Sequence, residues 1–127
     1  MDSRPHRNLD VWQKAMAFAK EIYVVTDDFP KSEGFGLTSQ MRRAAVSIPS
    51  NIAEGAGRRG NKEFLQFINI AQGSASELDT QLELAAMVDY LDSNHRDELT
   101  TKLTNLTKML YGLARSLKNN PPKHLRV

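Results

Sequence analysis

Cations are the residues of this chain whose types and spacing could do chemistry. Arg42-Arg43, Arg58-Arg59 and Lys62 fall within residues 38 to 63, a stretch whose only acids are Glu54 and Glu63, for a net charge of +3. Guanidinium forks and ammonium groups match anionic oxygens, so the chemistry implied is contact with an anionic partner. Arg42-Arg43 would sit in the first turn or so of a helix, where the macrodipole favours acids instead. Cations set against that preference point to an anionic partner, and the plain alternative is a solvated helix end.

Acid–base, nucleophilic and metal chemistry find poorer material. The chain has no cysteine, which excludes disulfides, Cys-based zinc sites, iron–sulfur clusters and thiol nucleophiles. Its three histidines, His6, His95 and His124, are expected in tails or a turn rather than in a cleft beside a serine or carboxylate. A carboxylate-bridged metal pair would need Glu-x-x-His, whereas His95 and Glu98 run in the reverse order. Gly55-Ala56-Gly57-Arg58-Arg59-Gly60 spells G-x-G-x-x-G, but the dinucleotide fingerprint needs a preceding strand, and here a helix precedes it. These glycines read instead as a C-cap and turn in left-handed backbone. Asn105-Leu106-Thr107 spells a glycosylation sequon in mid-helix, in a chain with no secretion signal, and is discounted. No enzyme, cofactor or metal is expected.

The elements that must position the cations are helical. Leu9, Trp12, Met16, Ala19, Tyr23 and Thr26 form one stripe of a helix over about 10–28, and Val11, Ala15, Phe18, Ile22 and Val25 form a second beside it. Phe29-Pro30 stops that helix. A second helix, about 38–56, begins at Thr38 as N-cap and carries Met41, Ala45, Ile48 and Ile52 inward. Pro49 inside it predicts a kink or a division in two. Ser47, Ser50, Asn51 and Glu54 around that proline either satisfy the backbone groups it frees or form a polar spot facing an oligomer axis. A third helix, about 61–91, starts at Asn61 as cap and would be roughly 45 Å long. Gly73 within it suggests that another helix backbone passes close by. The fourth, about 93–118, is capped by Ser93, and Leu99, Leu103, Leu106, Leu110, Leu113 and Leu117 alternate four and three apart, the a/d pattern of a packed seam.

One hundred and twenty-seven residues with 40% hydrophobic and 25% charged types make one globular domain, residues 1–127, with tails at 1–8 and 119–127, the second of them basic. The architecture expected is all-α, an antiparallel up-down four-helix bundle. No apolar run is long enough for a signal peptide or a membrane span, so a cytoplasmic protein with no membrane partner is expected. The whole chain carries a net charge of only +2, with 17 Lys+Arg against 15 Asp+Glu. Placement matters more than that total. Residues 64–92 hold five acids and no Lys or Arg, and residues 93–127 hold seven Lys/Arg and two acids, so opposite charges should face each other along neighbouring rods. The double stripe on the first helix and the apolar start of the third exceed what one bundle can bury, which predicts a homo-oligomer.

The run Gly36-Leu37-Thr38-Ser39-Gln40-Met41-Arg42-Arg43-Ala44-Ala45-Val46-Ser47-Ile48-Pro49-Ser50-Asn51-Ile52-Ala53-Glu54-Gly55 resembles the signature of bacterial four-helix-bundle proteins encoded in intervening sequences of 23S ribosomal RNA genes and in other loci. Val11-Trp12-Gln13-Lys14-Ala15, Phe29-Pro30, Glu63-Phe64-Leu65 and Ser76-Glu77-Leu78 fit the same pattern, so the resemblance spans about residues 8 to 118. It implies a ring-like homopentamer of four-helix protomers. Accessory proteins of diversity-generating retroelements are similar in fold, are basic, bind nucleic acid and partner a reverse transcriptase. The resemblance brings no catalytic residues. The leading expectation is a non-catalytic, oligomeric nucleic-acid-binding or ribonucleoprotein accessory protein that uses Arg42, Arg43, Arg58, Arg59 and Lys62 on RNA or DNA phosphates. The alternative is a homo-oligomeric scaffold whose arginines pair across subunits and which recruits a polymerase such as a reverse transcriptase.

Overall fold

The structure, a computed structural model, describes residues 4–119. Four helices, α1 (Asp10–Thr26), α2 (Leu37–Ala56), α3 (Asn61–Met87) and α4 (Ser93–Asn119), are joined by short connections, and two 3-10 turns lie at Pro5–Asn8 and Lys31–Glu33. No strand occurs among the described residues. Each helix packs on the next, and α4 closes back on α1, giving an antiparallel square bundle in which α2 and α3 make the most extensive contact. Part of the expected N-terminal tail is therefore ordered, since the Pro5–Asn8 turn packs on α1 and α2. The expected basic tail over 120–127, with His124, lies outside the described residues.

The leucine repeat of α4 does what its spacing predicts. Leu99, Leu103, Leu106, Leu110 and Leu117 are buried and Leu113 packs partly buried against them. Burying each such side chain contributes about 1.5–3 kcal/mol. On α1 Val11, Ala15, Phe18 and Ile22 of one stripe enter the core with Val25 partly buried beside them; of the other, Ala19 and Thr26 are buried, while Met16 and Tyr23 stay 47% and 43% exposed.

Helix ends depart from the sequence expectation. Thr38 lies inside α2 and is buried; the first donor of α2, the Leu37 N–H, is met by Glu33 Oε1 at 3.1 Å. That bond, together with one from the Tyr90 hydroxyl at 2.8 Å, holds the Glu33 carboxyl below its ordinary pKa. Gly60, not Asn61, occupies the N-cap of α3. Asp92, not Ser93, caps α4: its Oδ1 accepts from the His95 N–H at 2.8 Å, which lowers the Asp92 pKa. Helix α3 stops at Met87 rather than near 91 because Asp89 turns left-handed at φ 65°. The Asp89 N–H then reaches the Ala86 carbonyl and the Tyr90 N–H the Ala85 carbonyl, the paired bonds of a Schellman cap. The left-handed backbone expected at Gly55–Gly60 is absent: Gly55 is helical, Gly57 is right-handed at φ −82° and Gly60 is extended.

Pro49 is buried within one continuous helix. Two of the polar residues around it, Ser47 and Asn51, bond to each other and across to α3. Asn51 Nδ2 donates to the Ser47 carbonyl at 2.8 Å and to its Oγ at 3.0 Å, and the Ser74 hydroxyl donates to Ser47 Oγ at 2.8 Å, tying α2 to α3. The close helix approach expected at Gly73 occurs elsewhere. A Cβ at Gly73 would meet nothing within 4 Å, whereas one at Gly55 would lie 2.7 Å from Phe64 Cδ1 and 2.9 Å from Phe67 Cβ.

These two glycines yield opposite expectations. Gly55→Ala should destabilise the fold by about 1–3 kcal/mol through overpacking, despite alanine's better helix propensity. Gly73→Ala should stabilise it by up to about 1 kcal/mol. Urea denaturation of both variants checks the pair; equal effects would contradict the packing at Gly55.

Candidate nucleic-acid interface

The five cations singled out from the sequence form two groups at opposite ends of α2. Arg43 and Arg58 are separated by about 22 Å of helix. Arg42 is turned inward on α1. Its Nε donates to Thr26 Oγ1 at 2.9 Å and its NH2 nitrogen to the Tyr23 carbonyl at 3.2 Å, with Asp27 at 3.9 Å. The guanidinium carbon lies 4.6 Å from the centre of the Tyr23 ring. Helix C-terminal carbonyls lack partners within their own helix, so the end of α1 attracts a cation, and Arg42 supplies it. This role was legible in principle from the open end of α1, but not from the Arg42-Arg43 pair itself. Arg43 is exposed, lines a shallow depression with Tyr23, Ser39 and Val46, and makes no hydrogen bond or ion pair among the described residues.

Arg58, Arg59 and Lys62 are brought together by the four-residue turn over 57–60, and all three are exposed. Arg58 stacks over Phe67 at 4.8 Å and lies 3.8 Å from Glu54, one helical turn back. The Phe67 ring that packs beside Gly55 therefore also orients the first cation of the turn. Arg59 and Lys62 make no ion pair among the described residues. What this arrangement can do is grip an anion with charge and planar donors; it places no proton-transfer group beside a nucleophile. Elsewhere, His95 Nδ1 lies 3.1 Å from Asp92 on the α4 cap, and His6 packs edge-on against Trp12. Among the described residues no group of three or more His, Asp or Glu could hold a metal, and no helix is long and apolar enough to cross a membrane.

The expected ladder of opposite charges between α3 and α4 is short. Arg96 bonds Glu83 at 3.2 Å across the two helices, but its Nε also bonds Asp97 on its own helix, and Lys102 turns to Glu21 of α1 at 2.6 Å. The nearby carboxylates raise the Arg96 and Lys102 pKa values.

Arg42→Met keeps the aliphatic stem and removes the donors. It should lower stability by about 1 kcal/mol while leaving any anion binding at the 57–60 turn unchanged. Thermal melts and binding titrations of the variant check this; a stable variant with weakened binding would reverse the assignment.

A family model described as 23S rRNA-intervening sequence protein matches residues 7–112. No match occurs among curated proteins. A similar solved structure is a crystal structure, at 1.70 Å, of a protein with unknown function from the S23 ribosomal protein family of Bacteroides thetaiotaomicron. It is 25% identical, covers 83% of this chain and 98% of its own, and superposes with a TM-score of 0.74. Four helices in this order and a match across most of the chain place the protein in the 23S rRNA-intervening sequence protein family.

Proposed function

We propose that this chain is a non-catalytic, homo-oligomeric nucleic-acid-binding accessory protein that holds phosphates at the α2–α3 turn. The observation that carries the reading is the exposed cluster Arg58, Arg59 and Lys62, in which Arg59 and Lys62 make no ion pair among the described residues, on a chain whose family is linked to ribosomal RNA genes. Arg43 is a second phosphate contact at the other end of α2, and Arg42 works within the protomer. Phosphate contacts position a protein without reading bases, so binding is weakly dependent on sequence.

Self-association supplies the rest of the reading. Between α1 and α2 a groove of about 480 Å³ is lined by Trp12, Met16, Tyr23, Val46, Pro49 and Ala53. A second copy seated there covers the apolar surface left over on α1, and a ring, a pentamer by family resemblance, repeats the basic turn into a multivalent rim. A second reading, a scaffold that recruits a protein such as a polymerase, is favoured by exposed Leu84, Met87 and Val88 beside the α3–α4 connection.

Titration of labelled RNA at two salt concentrations, with light scattering on the same samples, tests the first reading. Affinity should fall steeply with salt, with a slope near −0.7 to −0.9 for each phosphate contact, and Arg58→Ala with Arg59→Ala should weaken it. Absence of low-salt affinity, or affinity indifferent to both substitutions, overturns it in favour of the scaffold.

A further inference from the structure

Helix α4 has a face that neither the fold nor the α2–α3 turn uses. From Leu99 to its end at Asn119 it contains no acid, and Lys108, Tyr111, Arg115 and Lys118 follow one another at spacings of three, four and three, which puts them on one stripe. All four are exposed, Tyr111 at 57%. None of the three cations has an ion pair among the described residues, unlike Arg96 and Lys102 nearer the start of the helix. Lys108 and Tyr111 line an open groove with Ser76, Asp79 and Thr80 of α3, Asp79 being the one acid among its lining residues. The antiparallel register that pairs Glu83 with Arg96 carries Lys62, at the start of α3, to the level of Lys118. The stripe thus reaches the level of the basic turn.

An aromatic ring held between cations along a groove matches the demands of an unpaired strand: charge tracks the backbone while bases stack on the ring. A duplex keeps its bases stacked on one another and has no face to offer Tyr111. We propose that the Lys108–Tyr111–Arg115–Lys118 stripe binds single-stranded nucleic acid, with Tyr111 stacking a base and the three cations, continued by Lys62, holding successive phosphates. This rests on the nucleic-acid reading above and adds to it the strand state of the partner and four residues outside the turn.

Fluorescence anisotropy with a short labelled single-stranded RNA, and with the same RNA annealed to its complement, tests the proposal on the full chain. The single strand should bind more tightly than the duplex. Tyr111→Ala should weaken single-strand binding by about tenfold, and Tyr111→Phe, which keeps the ring, should restore it. Lys108→Gln, Arg115→Gln and Lys118→Gln together should flatten the salt slope by about two. If RNA binds and responds to Arg58→Ala and Arg59→Ala but not to these substitutions, or prefers the duplex, the stripe is overturned while the turn survives as the site. If wild-type protein binds no RNA at low salt, both readings fail together. Should Tyr111→Ala instead reduce the oligomer mass in light scattering, with Tyr111→Phe equally affected in RNA binding, the stripe is a subunit contact and the proposal is lost.

Discussion

The close approach of α2 and α3 at Gly55 is the constraint on which the rest of the bundle depends. With no side chain at that position, Phe64 and Phe67 press directly on the α2 backbone, so two long helices can be joined by a four-residue turn and packed along their length. That contact sets the register that lets Ser74 reach Ser47 further along. It also places the Phe67 ring beneath the Arg58 guanidinium. A packing decision in the core thereby determines where the first cation of the basic turn is held.

The same antiparallel order sorts charge along the bundle axis. Arg58, Arg59, Lys62, Arg115 and Lys118 gather at the end formed by the α2–α3 turn and the end of α4. The opposite end carries Asp27, Asp28, Glu33, Asp89, Asp92 and Asp97 on the α1–α2 and α3–α4 connections and the first turn of α4. Of its cations, Arg42 is set on the end of α1 and Arg96 lies between Glu83 and Asp97, while Lys31 and Arg43 make no ion pair among the described residues. A nearly neutral chain therefore has two differently charged ends, and a polyanion meets very different potentials at each.

Much of this was legible in the sequence. The leucines of α4 announce a buried seam because their four-three spacing allows few other uses, and the helix boundaries fall within a few residues of the periodic segments. The failures share a cause: they depend on what lies across space rather than along the chain. Nothing local distinguishes Gly55, which meets two phenylalanines, from Gly73, which meets nothing. Asp89 adopts a backbone conformation that glycine usually supplies, so the end of α3 carries no glycine signal. Arg42 and Arg43 are adjacent in sequence yet point one to α1 and the other to solvent, because helical geometry separates neighbours by about 100°. The acids of α3 and the cations of α4 do not pair in full, because Lys102 has a nearer partner on α1 and the later cations have none among the described residues.

Lysines at known places along the bundle offer the most direct test of this charge polarity. Acetylation footprinting by mass spectrometry, with and without single-stranded RNA at low salt, compares Lys62, Lys108 and Lys118 with Lys31 on the acidic end. RNA should shield the first three and leave Lys31 as reactive as in the free protein. Equal shielding of all four, or protection centred on Lys31, would contradict it.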